Sequence, residues 1–209
     1  MPKTYFKFSL LFYCLLIVLV NSSCHSNEEV NNESQYLSVA KVNLDGIETG
    51  DILLKRGNGR ISNMITDFFK EKVPLSHCGI IVCSVDSTYI VHSVAGNYAR
   101  KDGVQTVLLK DMLKDCRPNF FYIVRKKAAK EARDNFAKKA LAYTTQNIPF
   151  DDQADNQDKS KMSCTELIYW SQIESFGQSD ITSINITGKE VFVFNGFLDT
   201  AKYQIIKHY

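Results

Sequence analysis

Two β-patterned runs, His77-Cys78-Gly79-Ile80-Ile81-Val82-Cys83 and Thr88-Tyr89-Ile90-Val91-His92-Ser93-Val94, stand four residues apart and limit what can be built around them. Ile, Val and Tyr favour a pleated, half-buried surface, and Asp86-Ser87 between the runs is turn chemistry. So short a break joins antiparallel neighbours, because parallel strands need a crossover of about a dozen residues or more. Gly50-Asp51-Ile52-Leu53-Leu54-Lys55, Gly103 to Leu108 and Phe120 to Arg125 read as further strands, giving a sheet of about five, and Tyr203 to Ile206 reads as a last one. Apolar residues at helical spacing mark Ile61 to Phe69 and Ala129 to Tyr143. Gln146 to Ser160 is a polar, acidic loop. The expected class is α+β, a mostly antiparallel sheet packed with helices.

The chain opens Met1-Pro2-Lys3-Thr4-Tyr5-Phe6-Lys7, followed by an apolar run from Leu10 to Val20 that is short for a membrane span. Asn21-Ser22-Ser23 then leads to Cys24, which resembles a bacterial lipoprotein signal whose cleavage leaves the cysteine as a lipidated N-terminus. Asn21 stands where such signals usually carry an aliphatic residue, and the alternative is an ordinary secretory signal. The expected organisation is a signal peptide over 1–23, a flexible tether over 24–39 and a single domain over 40–209. This places the protein in the bacterial cell envelope, held to a membrane through Cys24. Loss of Lys3 and Lys7 with the leader takes 25 basic residues to 23, against 23 acidic ones. A balance near zero carries no electrostatic footprint for nucleic acid.

The remaining cysteines are Cys78, Cys83, Cys116 and Cys164. Cys78 and Cys83 share a strand and stand roughly 16 Å apart at about 3.3 Å per residue, outside disulfide reach. They read as small buried apolar residues. There is no C-x-x-C pair, and Asp152, Asp155 and Asp158 lack the spacing and glycine of a calcium loop. No metal or cofactor is expected.

Cys164 differs from the others. Lys161-Met162-Ser163-Cys164-Thr165-Glu166-Leu167-Ile168-Tyr169-Trp170 reads as a helix start with the thiol in its first turn, where backbone N–H groups favour thiolate. Of the four histidines, only His77 and His92 lie in well-patterned sequence. Their odd separation puts both on one face of an antiparallel pair joined by an even-length loop. A four-residue loop at Ser84–Ser87 sets His92 opposite Gly79 and diagonal to His77, roughly 7–8 Å away. A two-residue turn at Asp86-Ser87 separates the histidines by about 13 Å, and the sequence leaves both registers open. Cys78 points to the opposite face from His77 and is set aside as that histidine's nucleophile partner. Cysteine attack with His77 as base and His92 as its orienting partner is the chemistry these types allow.

Gly50-Asp51-Ile52-Leu53, Ser76-His77-Cys78-Gly79-Ile80-Ile81-Val82, Pro149-Phe150-Asp151 and Ser163-Cys164-Thr165-Glu166-Leu167-Ile168 occur in that order. Together they resemble the YiiX/YaeF group of permuted papain-like amidases, relatives of the NlpC-type cysteine hydrolases, over roughly residues 46 to 175. The resemblance implies a circularly permuted papain-like fold with histidine ahead of cysteine, Cys164 as nucleophile and His77 as base. The family's third polar residue, often glutamate, falls at His92. Met162 stands where the family often has a tyrosine, Phe150 replaces the tyrosine of Pro-Tyr-Asp, and Glu166 matches as a structural residue. The expected function is hydrolysis of amide bonds, with cell-wall peptides as substrate. A lipid-directed thiol acyltransferase and a non-catalytic binding module on the same scaffold are the alternatives.

Overall fold

A computed structural model describes residues 36–39, 42–99, 101–153, 158–186 and 188–209. These belong to one compact unit spanning 33–209. The leader, Cys24, most of the expected tether and Asp155 lie outside the described residues. Leu37 and Val39 pack on an apolar layer of the domain and the Leu37 N–H bonds the Cys116 carbonyl, so packing begins inside the segment expected as tether.

The main sheet has six strands, one more than the main count of five: β1 (Ile52–Gly57), β2 (His77–Cys83), β3 (Thr88–Val94), β4 (Gly103–Leu108), β5 (Cys116–Lys126) and β8 (Tyr203–His208). Their spatial order is β4-β3-β2-β1-β5-β8, and every neighbouring pair is antiparallel. The helices are α1 (Arg60–Phe69), the short α2 (Leu109–Met112), α3 (Lys130–Tyr143) and α4 (Cys164–Phe176). A separate hairpin, β6 (Ser183–Ile186) with β7 (Lys189–Phe192), falls in a stretch the sequence pattern leaves unassigned.

Strand alternation sorts the core into two layers. Ile52, Leu54, Cys78, Ile80, Val91 and Val124 face α3 and α4, meeting Phe136, Ala140, Leu167 and Ile168. Leu53, Ile81, Ile90, Phe121 and Ile123 face the other way, over Leu109, Met112 and Leu113. Each fully buried side chain of this size contributes roughly 1.5–3 kcal/mol. Ile52-Leu53-Leu54 is buried without a break because β1 is central and covered on both faces.

The Gly50-Asp51 lead-in is anchored by charge. Arg125 grips both carboxylate oxygens of buried Asp51, at 2.7 and 2.8 Å, and reaches Glu48 at 2.7 Å. Arg133 of α3 binds the other Glu48 oxygen. A Cβ on Gly50 would stand 2.4 Å from the Arg133 carbonyl oxygen, so glycine is required where this loop meets α3. This fixes the start of β1, and β1 carries β2.

Candidate active site

The register left open by the sequence is settled by the loop. β2 and β3 pair from Cys83↔Thr88 to Ile80↔Val91, which makes Ser84–Ser87 a four-residue connection. It is closed by Ser84 N–H to the Ser87 carbonyl, 2.9 Å, and by the Ser84 hydroxyl to the same oxygen, 2.7 Å. One step further along the ladder, Gly79 faces His92. The strands are so close there that a Cβ on Gly79 would sit 2.4 Å from Ile90 Cγ2 and 3.2 Å from His92 Cβ. Across that gap the His77 ring reaches diagonally. Its Nε2 lies 2.9 Å from His92 Nδ1, the two rings nearly perpendicular at 85°.

Beyond Ile80↔Val91 the two strands stop pairing, and the segment entering α4 uses the groups this releases. Odd-numbered β2 residues bond toward β1, as Ile81 N–H to the Asp51 carbonyl shows, so the Cys78 N–H points toward β3. It has no ladder partner on β3, and it is among the groups that favour ionisation of the Cys164 thiol. The Ser93 hydroxyl of β3 donates to the Met162 carbonyl, and the Met162 N–H bonds Pro149 O at 3.0 Å. Pro149-Phe150-Asp151 is thereby a bracket. Ile148 O accepts from Val104 at the edge of β4, Phe150 N–H meets Asp102 at 3.1 Å, and Asp151 closes a turn on Gln153 N–H at 3.0 Å.

Ser163 and Glu166 form a capping box at the start of α4: Ser163 N–H to Glu166 at 2.6 Å, Glu166 N–H to the Ser163 hydroxyl at 3.3 Å. Glu166 is thus structural in its visible contacts, and Cys164 is the first helical residue. Its sulfur sits at the positive end of the helix with 9% of the residue exposed.

The Cys78 thiol is the strongest influence on the Cys164 thiol and lowers it. Burial opposes ionisation, and the His77 ring and the Cys78 N–H favour it; the balance holds the Cys164 thiol well below its usual range. Burial raises the Cys78 thiol well above its usual range, and its Cys164 neighbour raises it further. Cys78 faces away from His77, as its strand alternation implies, and the face it occupies is the one α4 covers, so it lies in one buried cluster with Cys164.

His92 is 7% exposed, and burial, then the charges of His77 and Lys55, push its imidazole down to about 2. It is a neutral ring throughout the physiological range. Lys55 is itself buried, bonded to the Met112 carbonyl at 2.9 Å and ion-paired with Asp115. A neutral His92 can accept at Nδ1 a hydrogen bond from the His77 Nε2–H. The structure brings His77 and His92 into contact, and His77 is among the groups that lower the Cys164 thiol. His208 lies elsewhere, stacked on Tyr122 at 4.1 Å.

The family described as permuted papain-like amidase enzyme, YaeF/YiiX, C92 family, matches residues 46–196. The chain belongs to this family. It is accordingly an enzyme of the cysteine peptidase and amidase class, with the YiiX-like permuted papain fold. Among solved structures it is similar to metalloprotein YiiX from Escherichia coli O157:H7, with a TM-score of 0.62 and 14% identity over 78% of this chain and 97% of that one. No curated protein matches. His77 and His92 direct facing nitrogens at each other, and among the described residues no group of three His, Cys, Asp or Glu side chains is arranged to hold a metal ion. The chemistry below is derived from protein groups.

Proposed function

We propose that the protein hydrolyses amide bonds of cell-wall peptides in the bacterial envelope, with Cys164 as nucleophile, His77 as base and His92 as orienting residue. The observation that carries this reading is Cys164 as the first residue of a helix, its thiol lowered by His77 among other groups, with His77 Nε2 2.9 Å from His92 Nδ1. The thiolate attacks the carbonyl carbon, and the electrons of the C=O bond move onto oxygen. The first-turn N–H of Cys164, which has no partner within its own helix, is suited to receive that charge. His77, protonated by the thiol, donates to the departing amine as the C–N bond breaks. Water then gives its proton to His77 and its oxygen to the thioester, releasing acid and restoring the pair.

Cell-wall peptides are proposed as substrate from the amidase family and from a leader pattern that ends at Cys24, the proposed lipid anchor. The test incubates the full chain in detergent micelles with peptidoglycan stem peptides and, separately, with a phospholipid acyl donor. New amino groups released by the native protein and absent with Cys164→Ala support the reading. A stable acyl thioester on Cys164 from the lipid, with stems intact, overturns the substrate in favour of acyl transfer. The pH dependence of iodoacetamide alkylation tests the chemistry separately. Fast labelling of Cys164 well below pH 8 that slows in His77→Ala is expected, and an ordinary thiol titration indifferent to His77 overturns it.

A further inference from the structure

Helix α1 carries more apolar surface than the domain covers. Ile61, Met64, Ile65, Phe68 and Phe69 recur at three and four residues and make one stripe. Ile65 and Phe69 turn inward, onto the core layer that holds Cys164, with the Phe69 and Phe194 rings edge to face at 6.0 Å. Met64 and Phe68, one helical turn apart, stand 63% and 59% exposed. A lone exposed apolar side chain is ordinary, but these two extend a buried stripe into solvent as a ridge. Positive charge fringes it. Arg60 opens the helix, Lys70 and Lys72 follow its last residue, and all three are exposed. The acidic residues of this stretch are Asp67, exposed on the helix, and Glu71. Glu71 is occupied by the protein, accepting from the Phe194 and Asn195 N–H groups at 3.0 and 2.6 Å. Arg56, bonded to Asn63 at 3.1 Å, lies within the field of Asp67 and offsets it.

We propose that α1 is a membrane-docking helix, its Met64–Phe68 ridge entering the headgroup layer of an anionic phospholipid bilayer while Arg60, Lys70 and Lys72 meet the phosphates. Apolar side chains flanked by cations suit a helix lying in that layer, where burial of apolar area and attraction to anionic lipid act together. Two apolar side chains fall well short of the roughly 800 Å² per partner that a stable protein interface buries, which favours lipid over a protein partner. Chain length agrees. Twelve residues lead from Cys24, the proposed lipid anchor, to Tyr36, where the described domain begins, at most about 40 Å of extended chain. A domain anchored there stays within reach of the bilayer. Since α1 connects β1 to β2, it stands at the end of the sheet where β2 opens with His77, and docking turns that end toward the lipid surface. The ridge and its charges stand whether or not Cys164 is the nucleophile.

The experiment uses the full chain, with the photo-crosslinker benzoylphenylalanine replacing Phe68 in one preparation and Val85 in another. Val85 is fully exposed in the loop at the opposite end of β2 from His77. Each is reconstituted into vesicles of equal parts phosphatidylcholine and phosphatidylglycerol, irradiated, and its adducts identified by peptide mass spectrometry. Phospholipid adducts at position 68 are expected to exceed those at position 85 by about tenfold, the ratio that burying one aromatic side chain supplies. In phosphatidylcholine alone the excess should shrink by about fivefold or more, the contribution of a cation near an anionic surface. Lys70→Gln combined with Lys72→Gln, both at exposed positions, should reproduce that loss in the mixed vesicles. Equal phospholipid labelling at the two positions overturns the proposal. Adducts at position 68 to residues 10–20 of the same chain, or to a second copy of it, overturn it in favour of a protein contact. An excess that is as large in phosphatidylcholine alone overturns docking directed by anionic lipid.

Discussion

His92 holds the least usual electrostatic position among the site residues: an imidazole buried beside a second histidine and a buried lysine. Its folded value, about 2, lies below the ordinary 6.5 of the unfolded chain. The unfolded state therefore binds the extra proton first. The stability His92 contributes is complete above pH 6.5 and drains away as the pH falls through the window down to about 2. The slope is up to about 1.4 kcal/mol per pH unit. Urea midpoints measured between pH 6.5 and 4.5 should fall for the native protein and fall less steeply for His92→Gln, which has no proton to take. Catalysis is more exposed to His77. Its loss removes the proposed acid–base group, and turnover in His77→Ala is expected to drop by roughly 10²–10⁴-fold at unchanged fold, checked by steady-state kinetics beside circular dichroism.

At the scale of elements, two junctions set the geometry. The capping box at Ser163 and Glu166 decides where α4 starts and so where the sulfur stands. Ser163→Ala should cost about 1 kcal/mol in chemical denaturation. It should also broaden the pH profile of Cys164 labelling, since the first turn then frays. Gly79 sets the other junction. Gly79→Ala puts a methyl 2.4 Å from Ile90 Cγ2 and 3.2 Å from His92 Cβ. Overpacking of this kind costs roughly 1–3 kcal/mol, and forcing the strands apart should break the His77–His92 contact, seen as a changed His77 imidazole signal in NMR. The β2 and β3 bounds follow directly from their residue pattern, because the β-branched runs are clean and the turn is short. β5 begins earlier than the Phe120 start read from its pattern, since Cys116 pairs with Gly57 across a register shift that no local pattern encodes. The β6–β7 hairpin is short and half exposed, too weakly alternating to stand out.

For the whole molecule, the Asp51–Arg125–Glu48–Arg133 network ties the start of β1 to β5 and α3. Asp51→Ala leaves Arg125 without its bidentate partner in a largely buried setting, at a cost of roughly 3–5 kcal/mol. Because this network stands apart from the sulfur's contacts, the Cys164 labelling profile should be unchanged while the variant remains folded. The sequence by itself determined the strands of the main sheet and the three longer helices, the face shared by His77 and His92, and the thiol at a helix start, because each rests on alternation, helical spacing or capping among near neighbours. The tertiary structure decided the loop register that brings His77 to 2.9 Å from His92, and the landing of α4 on the unpaired end of β2. It also decided that Cys78 and Cys164, two residues 86 positions apart in the chain, share one buried cluster. Which long-range faces come together depends on how whole layers pack, and no local spacing carries that information.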